Sequence, residues 1–205
     1  AMITGSFDPV TSGHADLIRR AAKMFDFVYV ALMSNGEKDS SGGGMFTYGE
    51  RLAMLEAACA DLANEGITNV RAELCEGLSS AYAAERGIRY IVRGVRCASD
   101  FDYEYSLAAI MKRFDADLET VMLPSEPSIA CVSSTYVREL IKYHHPIGDA
   151  MPASAAALAV ADSLSTVLRR EINDSNAYYA RYESAVQDAA QKVNDLYLKT
   201  VGDKN

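Results

Sequence analysis

His14 closes a stretch whose residue types suit anion chemistry: Ala1-Met-Ile-Thr-Gly-Ser-Phe-Asp-Pro-Val-Thr-Ser-Gly-His14. A short apolar run passes into a turn rich in Gly, Ser, Asp and Pro, and a helical pattern starts near His14. Such a strand, loop and helix N-terminus presents unpaired N–H groups and the positive end of the helix dipole. An anion such as phosphate is stabilised there. Gly5 and Gly13 carry no Cβ, so a phosphate is expected to approach the backbone at both. The simpler reading of the spacing alone is an ordinary strand-to-helix turn with His14 as a surface cap.

Further groups of the same chemical character follow along the chain. Lys38 is the one lysine of the polar segment 34–44. Ser79 stands after Gly77-Leu78. Arg93-Gly-Val-Arg96 follows an apolar run; guanidinium groups suit bidentate phosphate binding, or pairing with Asp100, Asp102 and Glu104. Ser133, Ser134 and Thr135 offer hydroxyls and N–H groups at a helix start, for phosphate oxygens or as a plain cap.

The elements that must position these groups are legible from periodicity. Residues 1–4 read as a strand, and Leu17, Ile18, Ala21, Ala22 and Phe25 recur at helical spacing from about Gly13 to Met24. Phe27–Met33 is a continuous apolar run, as in a strand buried on both faces of a parallel sheet. Thr47-x-x-Glu50 is a capping box for a helix reaching about Asn64. Strands are predicted at 69–75, 88–92 and 118–123. Helices are predicted at 79–86, from Ser99 or Asp100 to Phe114, and from a Ser133 or Ser134 cap to about His144. The alternation predicts an α/β, Rossmann-like, doubly wound five-stranded parallel sheet, with a helical C-terminal extension. Ligands of such sheets bind beyond the carboxyl ends of the strands. The Gly5–His14 loop, Lys38, Ser79, Arg93–Arg96 and the 124–135 segment would all meet at that one edge.

Composition bounds the rest. With 205 residues, 49% of them apolar, the chain can bury a sizeable core. We expect a core domain over 1–155 and an extension over 156–205. A net charge of −8 argues against a general nucleic-acid binder, which would need clustered Lys and Arg. No apolar run approaches the ~20 residues of a membrane span, and no basic and apolar leader opens the chain. A cytoplasmic protein with no membrane or nucleic-acid partner is expected. Ala1 lies almost in the first strand, so a few residues are expected to precede it. Cys59, Cys75, Cys97 and Cys131 are scattered, without a Cys-x-x-Cys pair, so reduced thiols are expected rather than a structural zinc site.

The motif Thr4-Gly-Ser-Phe-Asp-Pro-x-Thr-x-Gly-His14 resembles the signature of the nucleotidyltransferase superfamily, with Thr11 in place of the usual first His. That variant, after Phe7-Asp8-Pro9, is similar to the phosphopantetheine adenylyltransferase branch. A second match is Arg93-Gly-x-Arg96 followed by Asp100-Phe-x-Tyr-Glu104, and a third is Val132-Ser-Ser-Thr-Tyr-Val-Arg-Glu139. Lys38 stands ahead of Met45-Phe-Thr47, as a lysine does in that family, with an additional Asp-Ser-Ser-Gly-Gly-Gly between them. The resemblance covers residues 1 to about 155. It implies adenylyl transfer from ATP to 4′-phosphopantetheine, giving dephospho-coenzyme A and pyrophosphate, with Mg²⁺ on the ATP phosphates. It implies His14, Lys38 and Arg93 as catalytic groups. Ser6, Lys38, Ser79 and Arg93 would contact phosphopantetheine. Ser6, Phe7, His14, Gly94, Val95, Arg96, Glu104, Ile129, Ala130, Cys131, Val132, Ser133, Ser134 and Thr135 would contact ATP. It further implies a homo-oligomer, a hexamer by family, and binding of product or coenzyme A as feedback. A cytidylyltransferase of the same fold and a nucleotide-binding homologue without turnover are the alternatives.

The extension carries its own pattern. Leu164, Val167, Leu168 and Ile172 form a helical stripe, and Asn173-Asp-Ser-Asn176 reads as a break. Tyr179, Tyr182, Val186, Ala189, Val193, Leu196 and Thr200 then repeat at alternating spacings of three and four. Docking on its own domain is the expected use of this stripe, and pairing between subunits the sharper one.

Overall fold

A computed structural model describes residues 1–34 and 44–202; in the last helix it describes the side chains of 153–161, 172–181, 183–188 and 191–192. Five strands alternate with helices: β1 Met2–Gly5, α1 Ser12–Met24, β2 Val28–Ser34, α2 Tyr48–Asn64, β3 Val70–Glu76, α3 Ser79–Glu85, β4 Tyr90–Val95, α4 Ala98–Phe114, β5 Glu119–Pro124 and α5 Ser134–Lys142. A 3-10 turn, Gly148–Ala150, leads to α6, Ala153–Gly202. The chain divides into two compact units, Ala1–Val160 and Ala161–Asn205.

The strands form one sheet in the order β3-β2-β1-β4-β5, and every described pair is parallel. This is the doubly wound arrangement predicted from the alternation of elements. The chain leaves β1 in one direction towards β2 and β3 and returns on the other side for β4 and β5. The switch in direction therefore lies between β1 and β4, where a crevice opens at the carboxyl ends.

Alternation along β1 sends Met2 and Ile3 to opposite faces, as the pleat requires. Ile3 joins the larger core, with Leu17, Ile18 and Ala21 of α1, Met54 and Leu55 of α2, Val137 of α5, and Ala155 and Ala159 of α6. Met2 joins the smaller one, with Cys75, Tyr82, Ile91 and Leu118. Ile18 is fully buried. Such burial contributes roughly 1.5–3 kcal/mol. The capping box of α2 forms as expected: Thr47 Oγ1 accepts from Glu50 N, and Thr47 N donates to Glu50 Oε2 at 2.7 Å. The free cysteines are Cys59 and Cys75, both buried, and Cys97 and Cys131, both exposed.

Most boundaries shift by a residue from the predicted ones, and four differences have a physical cause in the structure. β4 runs on through Arg93, Gly94 and Val95, because β5 extends the ladder opposite them: Arg93 pairs with Met122, Gly94 with Leu123 and Val95 with Pro124. α4 starts at Ala98 with Cys97 as its N-cap, not at Ser99 or Asp100. Asp100 cannot cap, since its carboxylate accepts from Arg96 N and Arg96 Nε at 3.1 and 2.8 Å. α5 ends at Lys142, two residues before His144, whose φ of 56° takes the chain into the left-handed region. Lastly, α6 continues through Asn173–Asn176. Asn, Asp and Ser each cost only a fraction of a kcal/mol in a helix interior, and without Gly or Pro the helix is not interrupted. Within the second unit Ile172, Tyr178, Tyr179 and Val186 are exposed. The side chains of Leu164, Val167, Leu168, Tyr182, Ala189, Val193, Leu196 and Thr200 lie outside the described residues. No helix among the described residues is long and apolar enough to cross a membrane.

Candidate active site

A cavity of about 550 Å³ opens at the β1–β4 switch point. The loop after β1 and the start of α1 form one wall. Thr11 is the N-cap of α1, and its Oγ1 accepts from His14 N at 3.3 Å. In return Thr11 N donates to His14 Nδ1 at 3.0 Å. A backbone N–H can only donate, so Nδ1 carries no proton and the neutral ring holds its proton on Nε2. Burial, then the positive charges of Arg96 and Arg93, push the imidazole pKa down to about 4. His14 is thus a neutral hydrogen-bond donor lining a cationic cavity.

Phe7 packs edge-on against His14, with ring centroids 5.0 Å apart. Its φ is 40°, a conformation that costs a non-glycine residue about 1–3 kcal/mol. Gly5 makes room for this ring: a Cβ there would stand 3.1 Å from Phe7 Cζ. The missing Cβ of Gly5 therefore accommodates an aromatic side chain of the same loop, where close approach of a phosphate was expected.

The opposite wall comes from β4 and α4. Arg93 Nε and Nη2 donate to the two carboxylate oxygens of Glu104 at 2.6 and 2.7 Å. Arg93 Nη1 donates to Thr4 O and Thr4 Oγ1, both at 2.7 Å. Four of its five N–H groups are committed, which leaves one for a ligand. Arg96 is held by Asp100, whose carboxyl it keeps below the usual range. Pairing with nearby carboxylates, the alternative reading of both arginines, is thus present, and Arg93, Arg96, Asp100 and Glu104 all still line the cavity.

The N-terminus of α5 closes the third side. Ser133 is the N-cap, with Oγ accepting from Tyr136 N at 3.1 Å. Ser134 Oγ donates to Pro9 O at 2.8 Å, so this hydroxyl already holds the loop after β1. Arg138 Nη1 donates to Asp8 O at 2.6 Å and Nη2 to Thr135 Oγ1 at 3.0 Å.

Of the residues singled out from sequence, Ser6, Phe7, His14, Arg93, Gly94, Arg96, Glu104, Ile129, Val132, Ser133, Ser134 and Thr135 line this cavity. Ser79 faces an adjoining smaller pocket shared with Thr4, Arg93, Glu104 and Met111. Val95, Ala130 and Cys131 are not among the lining residues of either pocket. Lys38 lies outside the described residues. Sequence reasoning left out Thr11 as a structural partner of His14, and also Asp16, Arg20, Tyr103 and Arg138. Arg20 donates to Pro124 O at 2.7 Å and pairs with Asp16 one turn before it on α1; that i,i+4 pair of opposite charges was the available signal. Arg138 stands within the Val132–Glu139 motif itself.

Comparison with known proteins places this geometry. The cytidylyltransferase-like family model matches residues 2–140. A phosphopantetheine adenylyltransferase of Streptococcus agalactiae serotype Ia is 41% identical over 154 residues, 75% of this chain and 91% of the relative. One from Staphylococcus carnosus is 37% identical over 152 residues, 74% of this chain and 89% of the relative. Among solved structures, a bifunctional NMN adenylyltransferase/ADP ribose pyrophosphatase of Francisella tularensis aligns over 83% of this chain and 54% of its own, at 15% identity and a TM-score of 0.50. That last likeness bears on the fold alone.

Proposed function

This chain belongs to the phosphopantetheine adenylyltransferase family, and we infer from that membership that it transfers the adenylyl group of ATP to 4′-phosphopantetheine, forming dephospho-coenzyme A and pyrophosphate. The observation that carries the reading is the convergence of a neutral His14, Arg93 and the α5 N-terminus on one cavity. An oxygen of the phosphopantetheine phosphate attacks the α-phosphorus of ATP in line. The new P–O bond forms as the bond to the β-phosphate oxygen breaks, and its electron pair leaves with pyrophosphate. No covalent enzyme intermediate is required, so positioning and charge stabilisation do the catalysis.

In this mechanism His14 donates its Nε2 proton as a hydrogen bond to a phosphate oxygen. Arg93, held by Glu104 and Thr4, offers its remaining N–H to the acceptor phosphate. The first-turn N–H groups of α5 face the β- and γ-phosphates. Lys38 would add charge from the segment between β2 and α2, and Ser6 and Ser79 would contact the acceptor. Among the described residues no group of three His, Cys, Asp or Glu could hold a metal. Mg²⁺ on the ATP phosphates would offset part of their charge.

The homo-oligomer belongs to the same reading. No residue of α4 is buried, and Phe101, Tyr105, Ile110 and Phe114 are all 46% exposed or more. Phe101 with Tyr105 and Ile110 with Phe114 stand on opposite sides of α4, and further copies of the chain packed against this helix would cover them; light scattering reads the assembly, with a hexamer expected and a monomer overturning it. Coenzyme A shares the adenylyl and pantetheine parts of the product, so it would compete for this cavity. Reduced thiols fit a cytoplasmic location. The deciding experiment is pyrophosphate release with ATP and phosphopantetheine, beside CTP and other phosphate acceptors. Release with ATP and phosphopantetheine is expected. No signal from that pair overturns the reading, and a stronger one with CTP favours the cytidylyltransferase alternative.

A further inference from the structure

Behind the loop that carries Ser6 and Phe7 lies a buried ion pair that touches neither substrate in the mechanism above. Asp8 is 7% and Arg51 3% exposed. Arg51 Nε lies 3.2 Å from Asp8 Oδ1 and donates to Phe46 O at 2.7 Å. The Asp8 carboxylate accepts from Met45 N and Phe46 N, both at 3.1 Å. Arg51 also reaches forward, with Nη1 donating to Ser6 O at 3.4 Å.

The result is a loop held from behind at successive carbonyls. Ser6 O accepts from Arg51, Asp8 O from Arg138 and Pro9 O from Ser134. Between these fixed points Phe7 adopts φ 40°, which L residues rarely do, and lays its ring edge-on against His14. Any release of the loop would let Phe7 relax and expose the imidazole to water.

We propose that Asp8 and Arg51 are positioning residues for adenylyl transfer: through Ser6 and Phe7 they hold the His14 ring in its reactive orientation. A pair of merely structural worth would affect stability and leave the ring as it is. The inference rests on the adenylyl-transfer reading for the chemistry that suffers, and on the geometry alone for the state of His14.

Gly44 supplies a test that removes no charge. A Cβ there would run into the Arg51 guanidinium and the Asp8 carboxylate, so Gly44→Ala wedges the pair apart. Arg51→Lys keeps the charge and loses the planar fork. For folded variants, checked by circular dichroism, kcat and KM are measured by pyrophosphate release. The His14 titration is followed by NMR and assigned with His14→Gln. The charged groups that line the cavity with His14 are Arg93, Arg96, Asp100, Glu104 and Arg138 from the other elements, with Asp16 and Arg20 on its own helix, and all remain in both variants. The expected result is a fall in kcat of about a hundredfold, with the KM for ATP within about threefold. The His14 midpoint is expected to move up from about 4 towards 6.5. A folded variant with wild-type kcat, or with reduced kcat and an unmoved His14 midpoint, overturns the proposal. Should Arg51→Lys not fold, Gly44→Ala decides. If the wild-type protein itself releases no pyrophosphate, the functional reading fails, and the His14 titration still tests the positioning.

Discussion

Thr11 N–H points at Nδ1 of His14 across 3.0 Å, and this one contact sets which imidazole nitrogen can act. The Thr that replaces the first His of the wider superfamily motif is also the helix cap that orients the second. With the proton on Nε2, His14 supplies a hydrogen bond without adding charge. Its removal in His14→Ala is expected to lower kcat by about 10²–10³, measured by pyrophosphate release. Turnover close to that of the wild type would take His14 out of the mechanism.

The same ring makes stability depend on pH. Its folded pKa, about 4, lies below the ordinary value of 6.5, so the unfolded chain binds the proton first. The stability associated with a neutral His14 is fully present above pH 6.5 and declines as pH falls from 6.5 towards 4. At pH 5 the loss approaches about 2 kcal/mol. Urea unfolding at pH 7.5 and 5 should show a larger drop for the wild-type protein than for His14→Gln; equal drops would contradict the low pKa.

Arg93 is placed by Glu104. Glu104→Gln keeps the shape and removes the charge that aligns the guanidinium, so kcat/KM is expected to fall about tenfold. Arg93→Lys should fare no better than Arg93→Ala, because an ammonium cannot span both carboxylate oxygens and Thr4. Steady-state kinetics on the three variants check this ordering, and full activity in Arg93→Lys would refute the bidentate role.

Ser134 holds the carbonyl of Pro9. Ser134→Ala is expected to cost about 1 kcal/mol in denaturant unfolding, together with weaker ATP binding as the loop loosens. Loss of binding with unchanged stability would instead point to a direct phosphate contact by the hydroxyl.

A chain ended at Asn173 keeps Ala155 and Ala159, the part of α6 buried in the first unit. It is expected to retain adenylyl transfer, since every lining residue of the cavity lies at or before Arg138. Light scattering on the same variant tests the extension: an unchanged assembly removes the idea that its heptad stripe pairs subunits.

Much of this site was legible before the fold. Strand-like and helix-like periodicities placed five chemical segments at one sheet edge, and the described ones lie there. Boundaries were less legible where a long-range partner decides them. Arg93 to Val95 look like a loop locally and become strand only because β5 lies beside them. Asn173–Asn176 look like a break, yet the local cost is too small to stop a helix.

The amino-acid sequence by itself determined the order of elements, the capping box at Thr47, and the residue types that meet at the strand ends. These depend on neighbours within a few positions, whose geometry the backbone period dictates. Only the tertiary structure decided what those residues do to each other. Glu104 takes most of Arg93, Phe7 rather than a ligand fills the space at Gly5, and Asp8 turns inward to Arg51. Arg93 and Glu104 come from different elements, as do Asp8 and Arg51, and no local pattern encodes a distance that the packed sheet alone creates.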